Sequence, residues 1–199
     1  MTTKAPLDDR ALDQLFREAR TYYGYDDRPL DDETLERLWD LVKMGPTSAN
    51  SLPARIVWVK SAEQRELLVT KVSAGNADKV RSAPVTAIVG MDMEFYEELP
   101  WLFPHDDARS WFAGNDAAIQ ATAFRNSSLQ GAYLLLAARA LGLDCGPMSG
   151  FDADAVREAF FADQPTVKVN FITTIGYGDP ASLWPRSPRP EFARFNRIV

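Results

Sequence analysis

A chain of 199 residues with 46% hydrophobic and 25% charged residues suits a folded globular domain that needs no disulfide or metal staple, and excludes a disordered or fibrous protein. A formal net charge of −6 argues against nucleic acid or an anionic membrane as a general partner. Cys145 is the only cysteine, so no intrachain disulfide can form, and "MTTKAPLDDR" carries no apolar signal core, so the expected setting is cytoplasmic.

Leu12, Leu15, Phe16 and Ala19 recur at helical spacing and predict a first helix over residues 8 to about 22. Asp31, Asp32 and Glu33 open a second helix, whose apolar face is Leu35, Leu38, Trp39 and Val42 and which stops at Gly45-Pro46. "RIVWVK" reads as a strand. Ser61-Ala62-Glu63-Gln64 has capping-box spacing and starts a helix to about Val72. "GNADKVRSA" predicts a short helix and "PVTAIVG" a strand. Apolar runs of this kind, separated by helices, predict a sheet covered on both faces, and they permit parallel or antiparallel pairing.

Residues 92–114 are aromatic-rich, proline-punctuated and poorly periodic, the signature of a functional cap. A long central helix follows, from about Asp116 to Leu141, rich in alanine and closed by Gly142. Its Asn126-Ser127-Ser128 sequon falls mid-helix and reads as chance. "GLDCGPMSGF" is expected to be a loop, Asp152 to cap a helix through about Ala162, and "VKVNFITTIGYG" to be the last core strand. Residues 181–199 carry a net charge of +3 against −9 for the rest, so a basic arm is expected to wrap over an otherwise acidic single domain spanning 1–199.

Several chemistries find no residues. There is no P-loop, "IGYGDP" offers only Gly-x-Gly with no helix behind it, and one histidine with one cysteine makes a zinc site implausible. His105 has no nucleophile elbow to serve. It reads either as a loop histidine bonded to Asp106 or Asp107, or as a proton donor in the cap. Arg109 reads either as a local ion pair or as a bidentate carboxylate clamp. Cys145 reads as a small buried residue. Trp101, Phe103, Trp111 and Phe112 fit a core or a lid over a flat ligand. Arg17 and Arg20 near the end of the first helix, with Arg186 and Arg189 in the tail, would together hold a phosphate if the fold brings them together.

"ART", "GPTSAN", "GNADKVRSAPV", "LGLDCGPMSGF" and "IGYGDP…PRSPRP", in that order, resemble the nitroreductase family of flavin-dependent reductases over essentially the whole chain. "FPHDDARSWF", "TAFRNSS" and "ALGLDCGPMSGFD" look closest to its RutE/HadB-like malonic semialdehyde reductase branch, associated with pyrimidine degradation. The resemblance implies an α/β (α+β) sandwich around an antiparallel-dominated sheet, in an intertwined homodimer with FMN at the subunit interface. It implies that Arg20, Thr21, Arg186 and Arg189 meet the FMN phosphate end, and that Asn76 and Lys79 lie near the isoalloxazine and ribityl groups. It further implies that Pro147, Met148, Ser149 and Gly150 pass the ring, and that Pro46, Thr47, Ser48 and Asn50 reach it from the partner subunit. NADPH or NADH would supply hydride and a small aldehyde would take it, with His105 and Arg109 as substrate contacts. The stretch Ser51-Leu52-Pro53-Ala54 departs from the glutamine and Pro-Trp pair of many relatives, a departure that bears on the substrate preference implied by the resemblance and not on FMN binding. A broader nitro, quinone or enone reductase, a flavin protein without turnover, and a dimerisation module gripping an acidic partner are the other expectations.

Overall fold

The structure, a computed structural model, describes residues 4–199. The Asp8 carboxylate caps a short helix, α1 (Asp9–Leu12), which widens into a π turn over Asp13–Arg17 and stops there. The predicted extension to residue 22 is lost because the backbone is recruited elsewhere. Thr21 makes a parallel bridge to Cys145, and the Tyr22 N–H donates to the Cys145 carbonyl at 3.2 Å. The Asp31 carboxylate accepts the Thr34 N–H at 2.8 Å and starts α2 (Asp32–Val42), which buries Leu35, Leu38 and Val42.

The strands β1 (Ala54–Val59), β2 (Val85–Asp92), β3 (Asp144–Met148) and β4 (Val167–Gly176) form one sheet in the order β1-β2-β4-β3, and every adjacent pair is antiparallel. Here β3 replaces the predicted loop. Gly146 and Pro147 disguise it, and the strand tolerates them because it lies at a sheet edge, where proline's missing N–H need cost no ladder bond. Strand alternation serves both faces. Val85, Ala87 and Val89 face α2 and the long α6 (Asp116–Ala140), whereas Ile88 faces α3 (Ala62–Val69), α4 (Ala74–Ser82) and α7 (Ala153–Phe160).

The cap segment is more ordered than its lack of periodicity implies. Short helical turns at Phe95–Glu98, α5 (Leu99–Leu102) and Ala108–Trp111 bury Phe95, Leu99, Ala108 and Phe112 against Ile119 and Ala123 of α6. Phe112 is therefore core, while Trp101 and Trp111 stay exposed. The carboxy-terminal arm leaves β4, turns at Pro180–Ser182, and ends in the single turn α8 (Phe192–Phe195). Among the described residues no helix is long and apolar enough to cross a membrane.

Candidate functional site

Arg20 and Thr21 sit in the segment that α1 vacates by ending early. The arm returns over that segment and is laced to it reciprocally. Arg20 Nη2 donates to the Trp184 carbonyl, and Arg186 Nη2 donates to the Ala19 carbonyl at 3.1 Å. Between them lies a cavity of about 330 Å³ walled by Arg20, Thr21, Arg186 and Arg189, by Phe16, Tyr23 and Trp184, and by Arg139 of α6. No carboxylate lines it, and none of the four arginines is ion-paired among the described residues. In a chain of net charge −6, a wall of guanidinium groups without an ion-pair partner has the chemistry to attract an anion. Arg17 is not part of it, because Asp9 and Asp13 hold it at 2.8 and 2.5 Å.

A second group lies beside the cavity and is joined to it through Tyr23. The Lys79 ammonium is 5.0 Å from the Tyr23 ring centroid and donates to the Pro147 carbonyl at a long 3.3 Å. Lys79 is only 3% exposed, has no carboxylate within ion-pair distance among the described residues, and is pushed down to about 8 by burial. Its stem lies on β3 where Gly146 leaves room, since a Cβ there would fall 2.2 Å from Lys79 Cε. Asn76 Nδ2 donates to the Gly150 carbonyl at 3.0 Å, which ties α4 to the Pro147–Gly150 stretch. A single chain thus unites Arg20, Thr21, Arg186 and Arg189 with Asn76, Lys79 and Pro147 to Gly150.

Pro46, Thr47, Ser48 and Asn50 lie elsewhere. Their loop is fastened to α6 and the cap. The Pro46 carbonyl accepts the Tyr133 hydroxyl at 2.8 Å, the Ser48 N–H donates to Asn126 Oδ1 at 2.9 Å, and the Ala54 N–H donates to Gln130 Oε1 at 2.8 Å. Asn126, the sequon asparagine, is fully buried in doing so. Thr47 Oγ1 accepts the Leu52 N–H at 3.2 Å, and Asn50 Nδ2 donates to the Leu102 carbonyl at 2.8 Å. Gly45 is required here for its missing Cβ, which would lie 2.1 Å from the Tyr133 ring; the left-handed conformations fall instead on Ala49, Asn50 and Leu52 (φ 50, 50 and 39°).

The register sets the separation of the two halves. Cys145, which Thr21 bridges, is level with Ile175 and Val85, whereas Ala54, at the end of the 45–53 loop, is level with Met91. Crossing from β3 to β1 spans three strand spacings, roughly 14 Å, and running from Val85 to Met91 adds roughly 20 Å. The halves occupy opposite corners of the sheet. One chain does not bring them together.

In the cap, both arms of the Arg109 fork are taken by Glu97, with Nε to Oε2 and Nη2 to Oε1 each 2.7 Å. His105 meets the Phe103 ring edge-on at 5.3 Å, and no hydrogen bond joins it to Asp106 or Asp107.

The Nitroreductase family profile matches residues 16–177 of this sequence. The chain belongs to the nitroreductase family. A Burkholderia lata protein provisionally named an NADH dehydrogenase/NAD(P)H nitroreductase is 63% identical over 198 residues, covering 100% of both chains. A Polynucleobacter asymbioticus protein of the same provisional name is 60% identical over 193 residues, 97% of this chain and 98% of its own. Among solved structures, a nitroreductase-like protein of Exiguobacterium sibiricum in complex with FMN superposes with a TM-score of 0.83 at 21% identity, covering 100% of both chains. The enone reductase CLA-ER superposes at 0.84 with 16% identity over 98% of this chain and all of that one. At such identity these two show a shared nitroreductase fold.

Within this family member, Arg139, Tyr23, Phe16 and Trp184 are wall residues that sequence reading did not assign to the site. For Arg139 the available signal was an arginine interrupting "GAYLLLAARALGL", because a charge in an apolar helix run needs a reason.

Proposed function

We propose that this protein is an FMN-dependent NAD(P)H oxidoreductase whose acceptor is malonic semialdehyde, reduced to 3-hydroxypropanoate. The observation that carries the cofactor reading is the carboxylate-free arginine cavity continuing into the buried, under-bonded Lys79. That donor set fits FMN. Arg20, Thr21, Arg186 and Arg189 would take the phosphate, and Asn76, Lys79 and the Pro147-Met148-Ser149-Gly150 backbone would take the ribityl chain and ring. Bound FMN would supply hydride acceptance from NADPH or NADH and hydride donation to the acceptor. The chain's own residues orient both partners and exclude water, so no side-chain nucleophile is required. Pro46, Thr47, Ser48 and Asn50 would complete the site from a second copy, which makes a homodimer with interfacial cofactor the working assembly.

For the acceptor, Arg109 would hold the carboxylate, and His105 or water would return a proton to the carbonyl oxygen. The Glu97–Arg109 pair favours a second reading, a broader nitro, quinone or enone reductase. Arg109 is the only Lys or Arg between residues 92 and 114, and Glu97 already uses its fork.

Anaerobic reduction with NADPH followed by reoxidation separates the cases. Bleaching of the yellow protein and fastest recovery with malonic semialdehyde support the main reading; faster recovery with nitroaromatics or quinones selects the broader one. A yellow protein that NADPH does not bleach is a flavin carrier. Glu97→Gln supplies the finer test, because freeing the Arg109 fork should lower KM for malonic semialdehyde while leaving KM for an uncharged aldehyde in place.

A further inference from the structure

We propose that Arg139, a residue of the central helix, is a phosphate-binding residue that makes the site select a phosphorylated flavin over its dephosphorylated form. The proposal rests on the FMN reading above. Arg139 directly follows the buried Ala137 and Ala138 on α6, and it is itself half-buried. Its Nη1 donates to the Leu15 carbonyl at 2.9 Å, but its Nε is buried with no partner, and no carboxylate stands within ion-pair distance among the described residues. The Asp144 carboxylate accepts the Gly178 N–H at 3.0 Å and is influenced by the Arg139 charge only through space, beyond ion-pair distance.

A brace for the turn before Arg20 would account for Nη1 alone. A neutral amide would brace Leu15 as well, without the cost of desolvating a charge. The charge finds its use in the cavity, whose wall Arg139 shares with Arg20, Arg186 and Arg189. Those three come from a loop and from the exposed arm, both adaptable. Arg139 comes from a 25-residue helix packed into the core, so its guanidinium is the part of the site that is in place before any ligand arrives. A phosphomonoester dianion, presenting three oxygens to planar donors, is the ligand chemistry that matches.

The test is binding by the full-length apoprotein, with dissociation constants for FMN and riboflavin measured by flavin fluorescence at one fixed ionic strength. Arg139→Gln keeps a donor for Leu15 and removes the charge; it should weaken FMN about tenfold and leave riboflavin within twofold. Arg139→Lys keeps the charge and should retain a preference for FMN, and it serves if the glutamine variant does not fold. An FMN affinity within twofold of wild type for Arg139→Gln, or an equal loss for both flavins in either variant, overturns the proposal and leaves Arg139 a brace. A wild-type chain that binds FMN no better than riboflavin overturns the phosphate reading of the whole cavity instead.

Discussion

Lys79 shows how a single side chain reports a site. Burial disfavours its charged form, so its folded-state value is pushed down to about 8 from the 10.5 of the free side chain. Below about pH 8 the ammonium is charged in both folded and unfolded chains, and the full desolvation penalty acts. Between about 8 and 10.5 the unfolded chain holds the proton that the folded chain has released, so stability contributed by this residue rises with pH. In the ligand-free protein, raising the pH from 8 to 10 should therefore stabilise wild type relative to Lys79→Met by on the order of 1–2 kcal/mol, measured by urea unfolding of both proteins. A constant difference across that range would place Lys79 in water. Asn50 carries a different load, since it holds φ 50° and donates to the Leu102 carbonyl. Asn50→Ala loses the bond and keeps an unfavourable left-handed residue, whereas Asn50→Gly loses only the bond. The glycine variant should be the more stable by about 1 kcal/mol in chemical denaturation.

At the level of elements, the early end of α1 and the return of the arm create the arginine-lined cavity. Neither event is a local preference. Helical periodicity through Ala19 favoured continuing α1, and the pairing of Thr21 with the β3 edge overrode it. The arm has little core of its own: Trp184, Phe192 and Phe195 are 68, 61 and 71% exposed. Removing residues 184–199 should leave the urea midpoint of the ligand-free protein almost unchanged. It should weaken FMN binding at least about tenfold, because Arg186 and Arg189 go with it. Equal FMN affinity with and without the arm would exclude the arm from the site.

For the whole molecule, the geometry of the sheet becomes an assembly question. The arginine cavity and the 46–50 loop sit at opposite corners, so a site that needs both must draw them from two copies. Co-expressed Arg20→Ala and Asn50→Ala chains test this. Each variant alone should bind FMN poorly. In a mixed dimer one site carries both substitutions and the other neither, so about a quarter of all sites should recover native affinity in a statistical mixture. Recovery of none would mean that the two groups of residues serve one chain separately.

Much of this was legible in the residues taken by themselves. The strands β1, β2 and β4, the acidic start of α2, the helix α6 with its Gly142 stop, the caps at Ser61 and Asp152, and the arginines of the segment and tail follow from local periodicity, capping chemistry and charge, which act over a few residues. The sequence by itself also determined family membership, through the order of its motifs. Pairing direction, the edge strand hidden behind Gly146-Pro147, and the place of Arg139 in the cavity wall came only with the tertiary structure. So did the occupation of Arg109 by Glu97 and the splitting of the predicted site between two corners. Each of these depends on which distant backbone or charge is brought near, and no short-range pattern carries that information.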